Sequence, residues 1–230
     1  MQVFVLCGGR GERLRPLTDM MPKPMVQVAG KPFLEVLIRY ISSQGFSDFV
    51  LLTGYLGDVI QDHFGNGSRF GLSIQYSHEN SPLGTGGSTG LAARRYACGP
   101  VMLINGDSFL PIDFSLLTRR FRDRRAATIV AYDNHDAVAP NNLRIEGNVV
   151  TACCTFSPEM NCLHAGVRVF PPEVLTGIPY AQSSIEDAVY RPLLEQRRLE
   201  GEITGTRFYD IGTRERLRLF ESTALTNHWV

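Results

Sequence analysis

A glycine-rich loop with basic residues close behind it lies near the start of the chain, directly after an apolar, strand-like run. The loop reads Gly8-Gly9-Arg10-Gly11-Glu12-Arg13-Leu14. Glycines let backbone N–H groups approach an anion without a Cβ in the way, and Arg13 and Lys23 place mobile positive charge nearby. This combination predicts a site for a phosphorylated ligand.

Two common phosphate loops do not match this segment. A Walker loop requires Gly-Lys-Ser or Gly-Lys-Thr, and neither occurs in the chain. The dinucleotide-binding fingerprint needs a third glycine at the position that Leu14 occupies. The loop is therefore of another kind.

Two aspartates that follow strand-like segments could hold a metal ion. Asp107 ends the turn Asn105-Gly106-Asp107, and Asp210 lies between a strand and a helix in Tyr209-Asp210-Ile211-Gly212. Carboxylates at such sheet edges suit Mg²⁺, which takes one or two of them together with substrate phosphates and waters. Either aspartate alone could equally cap a helix. Together with the amino-terminal loop, the pair predicts a magnesium site.

The first half of the chain alternates short apolar strands with helical segments, which is the pattern of parallel βαβ units. The predicted strands are Val3 to Cys7, Phe49 to Thr53, Ser73 to Ser77 and Val101 to Ile104, and the predicted helices are Pro32 to Gln44, Asp58 to Phe64 and Thr89 to Tyr96. In such sheets ligands collect beyond the carboxyl ends of the strands. Because the glycine loop and the turn at Asp107 both follow strand ends, we expect them to share one site.

The second half predicts a mixed or antiparallel extension that forms the other wall of a cleft. Its strand-like runs are separated by turn signals such as Glu146-Gly147-Asn148. The predicted strands are Ala127 to Tyr132, Leu143 to Ile145, Val149 to Phe156, Ala165 to Phe170 and a last one near Ile203 to Tyr209, and the predicted helices are Phe114 to Arg124, Ser184 to Arg197 and Thr213 to Leu225.

Composition excludes several classes of protein. The 230 residues contain 23 Lys and Arg against 23 Asp and Glu, so the formal net charge is zero. A neutral chain argues against a nucleic-acid surface or a polybasic membrane patch, and we expect the one cationic cluster, Arg119 to Arg125, to be a solvated helix end. No stretch approaches the roughly 20 apolar residues that span a bilayer. A cytoplasmic protein with five reduced cysteines is expected.

The opening segment is similar to the signature of the sugar-1-phosphate nucleotidyltransferases, G-G-x-G-x-R-L followed by P-K-P, which Pro22-Lys23-Pro24 matches. The resemblance continues in Pro82-Leu83-Gly84-Thr85-Gly86-Gly87 and in the turns at Asp107 and Asp210. It implies a Rossmann-like, three-layer α/β/α fold, similar to the GT-A fold, with a mostly parallel central sheet and a smaller mixed or antiparallel extension.

The resemblance also implies one domain over residues 1–230. Residues 1–112 would form a nucleotide-binding half, and residues 113–230 a sugar-phosphate-binding half. The length leaves no room for the left-handed β-helical domain of some relatives, so a minimal form of the family is expected.

The reaction that the resemblance implies is in-line attack of a sugar-1-phosphate oxygen on the α-phosphorus of a nucleoside triphosphate, with release of pyrophosphate. Asp107 and Asp210 would hold Mg²⁺, Arg13 would neutralise the leaving pyrophosphate, and Lys23 would stabilise charge at the reacting phosphorus. No general base is required, because the second pKa of a phosphate monoester is about 6. The catalytic residues would be Arg13, Lys23 and Asp107, the nucleotide-binding residues Leu6, Gly8, Gly9, Gly11, Arg13, Glu79 and Gly84, and the sugar-phosphate-binding residues Asn105, Gly166 and Glu186.

Individual residues and short segments indicate which nucleotide base and which sugar the protein would use. An ionised carboxylate only accepts hydrogen bonds, so Glu79 favours guanine, with its N1–H and 2-amino donors, if it faces the base; an exposed loop glutamate is the alternative. The segments at 31–35 and 81–87 look most like the D-glycero-D-manno-heptose 1-phosphate guanylyltransferases, which serve surface polysaccharide synthesis. GTP and a heptose or manno-configured sugar phosphate are therefore favoured. Enzymes using UTP, CTP or dTTP stay open, and choline-phosphate cytidylyl transfer is disfavoured.

Two departures from the family concern the sugar side. The family's E-K-P, whose lysine holds the sugar phosphate, is replaced by Phe156-Ser157-Pro158, and its N-A-G by His164-Ala165-Gly166. We hypothesise that Arg144 or Arg168 substitutes for the lysine. The missing lysine also leaves a second class open, a non-catalytic nucleotide-sugar sensor. For Glu186 the alternative is a first-turn acid that complements the helix dipole. Exposed strands of the second half would suit a homodimer.

Overall fold

A nine-stranded sheet forms the centre of the computed structural model, which describes residues 1–153 and 157–230. The strands are β1 (Gln2–Leu6), β2 (Gln27–Val28), β3 (Lys31–Pro32), β4 (Asp48–Thr53), β5 (Ser73–His78), β6 (Val101–Asn105), β7 (Ser108–Phe109), β8 (Ala127–Tyr132), β9 (Leu143–Glu146), β10 (Val149–Cys153), β11 (Leu163–Phe170), β12 (Leu199–Thr204) and β13 (Tyr209–Asp210). The helices are α1 (Phe33–Ser42), α2 (Gly57–Phe64), α3 (Gly84–Tyr96), α4 (Phe114–Arg124), α5 (Pro172–Thr176), α6 (Arg191–Glu195) and α7 (Arg214–Thr226), and a π-helical turn at Glu186–Tyr190 leads into α6.

The strands of the sheet lie in the order β5-β4-β1-β6-β11-β8-β12-β10-β9. The first four pair in parallel, and β8 pairs in parallel with β12. Strands β11 and β10 run antiparallel to their neighbours. Two ribbons, β2–β3 and β7–β13, stand outside the sheet. The predicted fold, a mostly parallel sheet with a smaller mixed or antiparallel extension, is confirmed.

Helices cover both faces of the sheet, because its central strands are apolar on both sides. Along β1, Val3 and Val5 join one buried cluster and Phe4 joins the other. Side chains from α1, α2, α4 and α7 complete the first cluster. Those from α3, α5 and α6 complete the second, so the sheet is the middle of three layers.

Some predicted boundaries differ from the structure. Helix α3 begins at Gly84 rather than Thr89, so the second glycine run lies inside the helix. The helix predicted from Ser184 is divided between the π-helical turn and α6. The strand predicted from Val149 to Phe156 ends at Cys153 in the described residues, and 154–156 lie outside them.

The last predicted strand, near Ile203 to Tyr209, is wrong. Strand β12 covers Leu199–Thr204, and Tyr209 begins the separate strand β13. The strand begins earlier than predicted because its buried residues are Leu199 and Gly201, which face inward where β12 pairs with β8. Ile203, by contrast, is 46% exposed. In the described part of the chain, no helix has the length and apolar character needed to cross a bilayer.

Phe220 anchors α7 and, through it, the turn that follows β13. Its ring is fully buried, with its centroid 5.0 Å from that of Phe33 and 5.1 Å from that of Phe109. We expect Phe220→Ala to lower the free energy of unfolding by about 3–5 kcal/mol, because it removes buried area and leaves a cavity. Urea denaturation measures this. The control is Leu219→Ala, at a neighbouring position that is 42% exposed, which should change the free energy of unfolding by less than about 1 kcal/mol. Equal losses in the two variants would contradict the role of Phe220 as the anchor of α7.

Candidate active site

A cleft of 660 Å³ opens beyond the carboxyl ends of β1, β4 and β6. Its walls hold the glycine loop, the segment after β5, the start of α3 and the turn after β6. Of the residues predicted from the sequence, those that line it are Leu6, Gly8, Gly9, Lys23, Glu79, Gly84, Asn105 and Asp107. The structure therefore brings the glycine loop and the turn at Asp107 to one cleft.

The glycines of the first loop differ in what requires them. Gly11 has φ +64°, and a Cβ there would lie 2.7 Å from Cβ of Lys23, so this glycine lets the loop pack on the Lys23 segment. Gly9 also lines the cleft, but a Cβ at Gly9 would meet no protein atom within 4 Å. The packing of the loop thus requires glycine at position 11. Protein packing does not require glycine at position 9, where the space beside the backbone belongs to the cleft.

Lys23 and Asp107 form an ion pair at the wall of the cleft. The Nζ of Lys23 lies 2.5 Å from Oδ2 of Asp107, and the lysine side chain is 11% exposed. The Oγ of Ser108 donates to the other carboxylate oxygen over 3.2 Å. Beside them, burial and the Asp107 charge raise the pKa of the Cys7 thiol, so this thiol stays protonated. The pair gives the cleft an ammonium group and a carboxylate in a fixed arrangement.

Asp210 reaches the same region through the β7–β13 ribbon. It lies opposite Ser108 in that ribbon, and the N–H of Ile211 donates to the carbonyl of Asp107 over 3.1 Å. The Asp210 carboxylate accepts from Arg216 and from the N–H of Gly212, each at 2.8 Å, and it borders a separate cavity of 50 Å³. The backbones of the two aspartates are therefore adjacent, while each carboxylate is paired with a cation.

This donor set fits Mg²⁺. Two carboxylates on adjoining segments supply hard oxygen ligands, and Mg²⁺ commonly takes no more than these from protein. Within residues 1–153 and 157–230, no group of three or more His, Cys, Asp or Glu side chains is arranged to hold a metal. A magnesium ion here would complete its coordination with substrate phosphates and water.

The two loop arginines lie in different places. Arg13 is exposed, and its guanidinium is 3.2 Å from the position that a Cβ on Gly212 would take, so it lies against the turn after Asp210. Arg10 lines the cleft, with its guanidinium 5.7 Å from the ring centre of Tyr55. Arg13 was predicted from the sequence and Arg10 was not, although the position of Arg10 between Gly9 and Gly11 was a signal.

The second glycine run approaches protein rather than open space. A Cβ on Gly84, Gly86 or Gly87 would lie 2.4–2.5 Å from a carbonyl oxygen of the segment 181–184. The N–H of Gly86 donates to the carbonyl of Ser183 over 2.9 Å. The object that these three glycines approach closely is therefore the backbone of this segment. Gly84 also lines the cleft.

Glu79 is packed into the cleft wall and is not an exposed loop residue. Its Oε2 accepts from the N–H of Leu83 over 3.0 Å. Its Oε1 lies close to two glycines: a Cβ on Gly8 would be 3.1 Å from this oxygen, and a Cβ on Gly54 would be 2.9 Å from it. Burial raises the pKa of this carboxyl, and the Leu83 N–H partly offsets the rise. The carboxylate is held in place at the cleft.

The residues predicted for the sugar side are placed as follows. Asn105 lines the cleft, and Gly166, with φ +79°, lets β11 pass Ser108, since a Cβ there would lie 2.9 Å from Cβ of Ser108. Glu186 is half-buried in the π-helical turn and is not among the described residues that line the cleft. Arg144 pairs with two exposed glutamates at 2.7 and 2.9 Å, far along the sheet order from β6.

Comparison with known proteins identifies the family. A family profile described as nucleotidyl transferase matches residues 2–139, which is more than half of the chain. The chain belongs to the nucleotidyl transferase family.

Relatives within the family differ in base and sugar. A mannose-1-phosphate guanylyltransferase of Mycobacterium tuberculosis is 35% identical over 94% of this chain, which spans 62% of that enzyme. An N-acetylmuramate alpha-1-phosphate uridylyltransferase of Neisseria meningitidis is 31% identical over the whole length of both. A D-glycero-alpha-D-manno-heptose 1-phosphate guanylyltransferase of Aneurinibacillus thermoaerophilus is 40% identical over 52% of each. The chain thus spans less than two thirds of two of these three nucleotidyl transferases.

Solved structures agree on the fold. HddC from Yersinia pseudotuberculosis, determined in complex with GMP-PN, superposes with a TM-score of 0.82 at 25% identity, covering 96% of this chain and 98% of that one. A nucleotidyl transferase from Bacillus anthracis, described as a putative glucose-1-phosphate thymidylyltransferase, gives a TM-score of 0.85 at 21% identity, covering 97% and 95%. The second likeness concerns the fold alone.

The close contact between α3 and the segment 181–184 leaves no space for a side chain at Gly86. We expect Gly86→Ala to lower the free energy of unfolding by about 1–3 kcal/mol, because the new methyl group overpacks a backbone contact. The matched control is Gly9→Ala, whose methyl group would meet no protein atom within 4 Å and should leave stability unchanged or slightly higher. Thermal and urea unfolding of the ligand-free protein measure both, and equal stability of the two variants would refute the packing role.

Proposed function

We propose that this nucleotidyl transferase transfers a nucleoside monophosphate from a nucleoside triphosphate to a sugar 1-phosphate and releases pyrophosphate. GTP and D-glycero-D-manno-heptose 1-phosphate are the favoured substrates, and surface polysaccharide or glycoconjugate synthesis is the proposed use. The observation that carries the proposal is the cleft in which the glycine loop, Lys23 and Asp107 meet. We further propose that residues 1–230 act as one domain.

The chain's own groups suit this reaction through positioning and charge. The N–H groups around Gly8 and Gly9 are proposed to bind phosphate oxygens of the triphosphate. Lys23 has ammonium donors left over after its contact with Asp107, and these would stabilise charge on the α-phosphorus. Arg13, joined by Arg10, would neutralise the leaving pyrophosphate. Asp107 keeps Lys23 oriented.

Magnesium is the proposed cofactor, held by Asp107 and Asp210. When bound, it would neutralise phosphate charge and polarise the phosphoryl group. Both carboxylates are paired with cations in the structure. Lys23 and Arg216 would therefore give up part of these contacts when the ion binds.

GTP is favoured by the fixed acceptor at Glu79 and by two of the relatives. The relatives from Mycobacterium and Aneurinibacillus are named guanylyltransferases, and HddC was solved with GMP-PN. A second candidate is a uridylyltransferase, because the Neisseria relative with that name matches over the whole of both chains. A sensor without catalysis is the candidate from another class.

Pyrophosphate release tests the reaction class and the substrates together. Wild-type protein with Mg²⁺ is assayed with GTP, UTP, CTP and dTTP against heptose, mannose, glucose and N-acetylmuramate 1-phosphates. We expect the highest kcat/KM with GTP and a manno-configured acceptor. Binding of nucleotide sugar without pyrophosphate release from any pair would support the sensor instead.

Lys23 provides the catalytic control. Lys23→Met should lower kcat by at least about 100-fold, because it removes charge that stabilises the transition state. The only other lysine in the sequence is Lys31, in the β2–β3 ribbon, and Lys31→Met should keep the wild-type rate. Near wild-type turnover in Lys23→Met, with folding verified by circular dichroism, would remove Lys23 from the mechanism.

Glu79 tests the base. Gln at this position can still accept from the Leu83 N–H, but its amide adds a donor where guanine presents donors. We expect Glu79→Gln to lower kcat/KM for GTP relative to UTP by about tenfold or more. Glu146→Gln, at the exposed end of β9, is the control. An unchanged ratio between the two nucleotides would show that Glu79 does not recognise the base.

A further inference from the structure

A buried polar network borders the cleft where β6 and β11 lie side by side. Arg168 is only 4% exposed. Its Nη1 donates to Oδ1 of Asn105 over 2.6 Å, and its Nε donates to the hydroxyl oxygen of Tyr190 over 2.5 Å. Asn105 in turn lines the cleft. The network therefore joins a buried guanidinium to the cleft through a single side chain.

The charge of Arg168 has no counter-ion in the part of the chain that the structure describes. Both of its hydrogen-bond partners are neutral, and none of the ion pairs among residues 1–153 and 157–230 includes it. Burial of an uncompensated charge is unfavourable. An anion bound next to Asn105 would offset this penalty. Arg144 differs, because Glu146 and Glu159 already neutralise it.

Arg168 also fixes which way the Asn105 amide faces. A guanidinium has only donors, so Asn105 must present its oxygen to Arg168. The amide nitrogen then lies on the side of Gly166, 3.6 Å from the position that a Cβ there would take. Since Asn105 lines the cleft and its oxygen is turned toward Arg168, the amide N–H groups are available as donors there. A donor with positive charge behind it suits an anionic oxygen.

His164 holds the other end of the network. The N–H of Gly166 donates to Nδ1 of His164 over 2.8 Å, so the ring hydrogen is on Nε2, which lies 3.2 Å from the Tyr190 hydroxyl. Burial and the nearby Arg168 charge lower the pKa of His164 well below its ordinary value, so the ring stays neutral. Tyr190 thus accepts from both His164 and Arg168. This contact keeps the guanidinium directed toward Asn105.

We propose that Arg168 is a positioning residue for the sugar phosphate: through Asn105 it presents a fixed hydrogen-bond donor, backed by an uncompensated positive charge, to the phosphate oxygens of the sugar 1-phosphate. The inference rests on the proposed function. It gives the unusual His164 a role as the residue that, with Tyr190, holds this arginine.

Two variants separate this role from simple structural support. Arg168→Met removes the charge and frees the Asn105 amide to rotate, so the KM for the sugar 1-phosphate should rise about 10- to 100-fold, while the KM for the triphosphate changes by less than about twofold. Arg168→Lys should recover part of the loss. Asn105→Asp keeps a contact with Arg168, now as an ion pair, but abolishes the donor and neutralises the charge. It should raise the same KM at least as much, with no fall in Tm.

Arg124→Met is the matched control, since Arg124 is an arginine on α4 paired with Glu200 at 3.2 Å. It should leave both KM values unchanged. Pyrophosphate release by the wild type is measured first, and its absence with every substrate pair would overturn the proposed function and the inference together. An active wild type whose KM for the sugar phosphate is unaltered in Arg168→Met and Asn105→Asp would overturn the inference alone. If Arg168→Met does not fold, Asn105→Asp decides by the same criterion.

Discussion

The parallel pairing of β1 with β6 is the constraint on which the rest of the site depends. Its register sets Leu6 beside Asn105, so the two loops that leave these strands start at the same level of the sheet. The N–H of Gly106 then donates to the carbonyl of Leu6 over 2.9 Å. Without this pairing, the glycine loop and the Asp107 turn would have no common position. The Lys23–Asp107 ion pair then connects the segment that follows the glycine loop to the turn that follows β6.

Two further contacts bring the second half of the chain to this edge. The β7–β13 ribbon carries Asp210 next to the Asp107 turn, and the glycines of α3 hold the segment 181–184 against the cleft wall. Both contacts are made by backbone atoms, so their geometry depends little on side-chain conformation. The polar network at Arg168 joins β11 to β6 and to the π-helical turn. The second half of the chain therefore packs against a cleft whose glycine loop belongs to the first half.

Much of the fold could be predicted from local patterns. Helix α4 and strand β8 have the predicted bounds, because apolar periodicity is clear there and Asp113 caps the helix. The start of α3 could not be predicted in this way, since glycine disfavours helices and the contacts made there with the segment 181–184 are distant in sequence. For the site, loop motifs identified Lys23 and Asp107, which do meet. The bonds of Arg168 depend on residues far apart in the sequence, so no local pattern reveals them.

The glycines of α3 have a consequence for how such sequences change over evolutionary time. At positions 84, 86 and 87 any side chain would collide with the backbone of the segment 181–184. A homologue in which the segment 181–184 has a different conformation would no longer need these glycines. A homologue that keeps the segment is expected to keep the glycines as well, whichever nucleotide it uses. The two stretches are therefore expected to covary across homologues. Retention of Gly86 and Gly87 in a distant homologue would indicate that this internal contact has been inherited, and would give little information about the ligand.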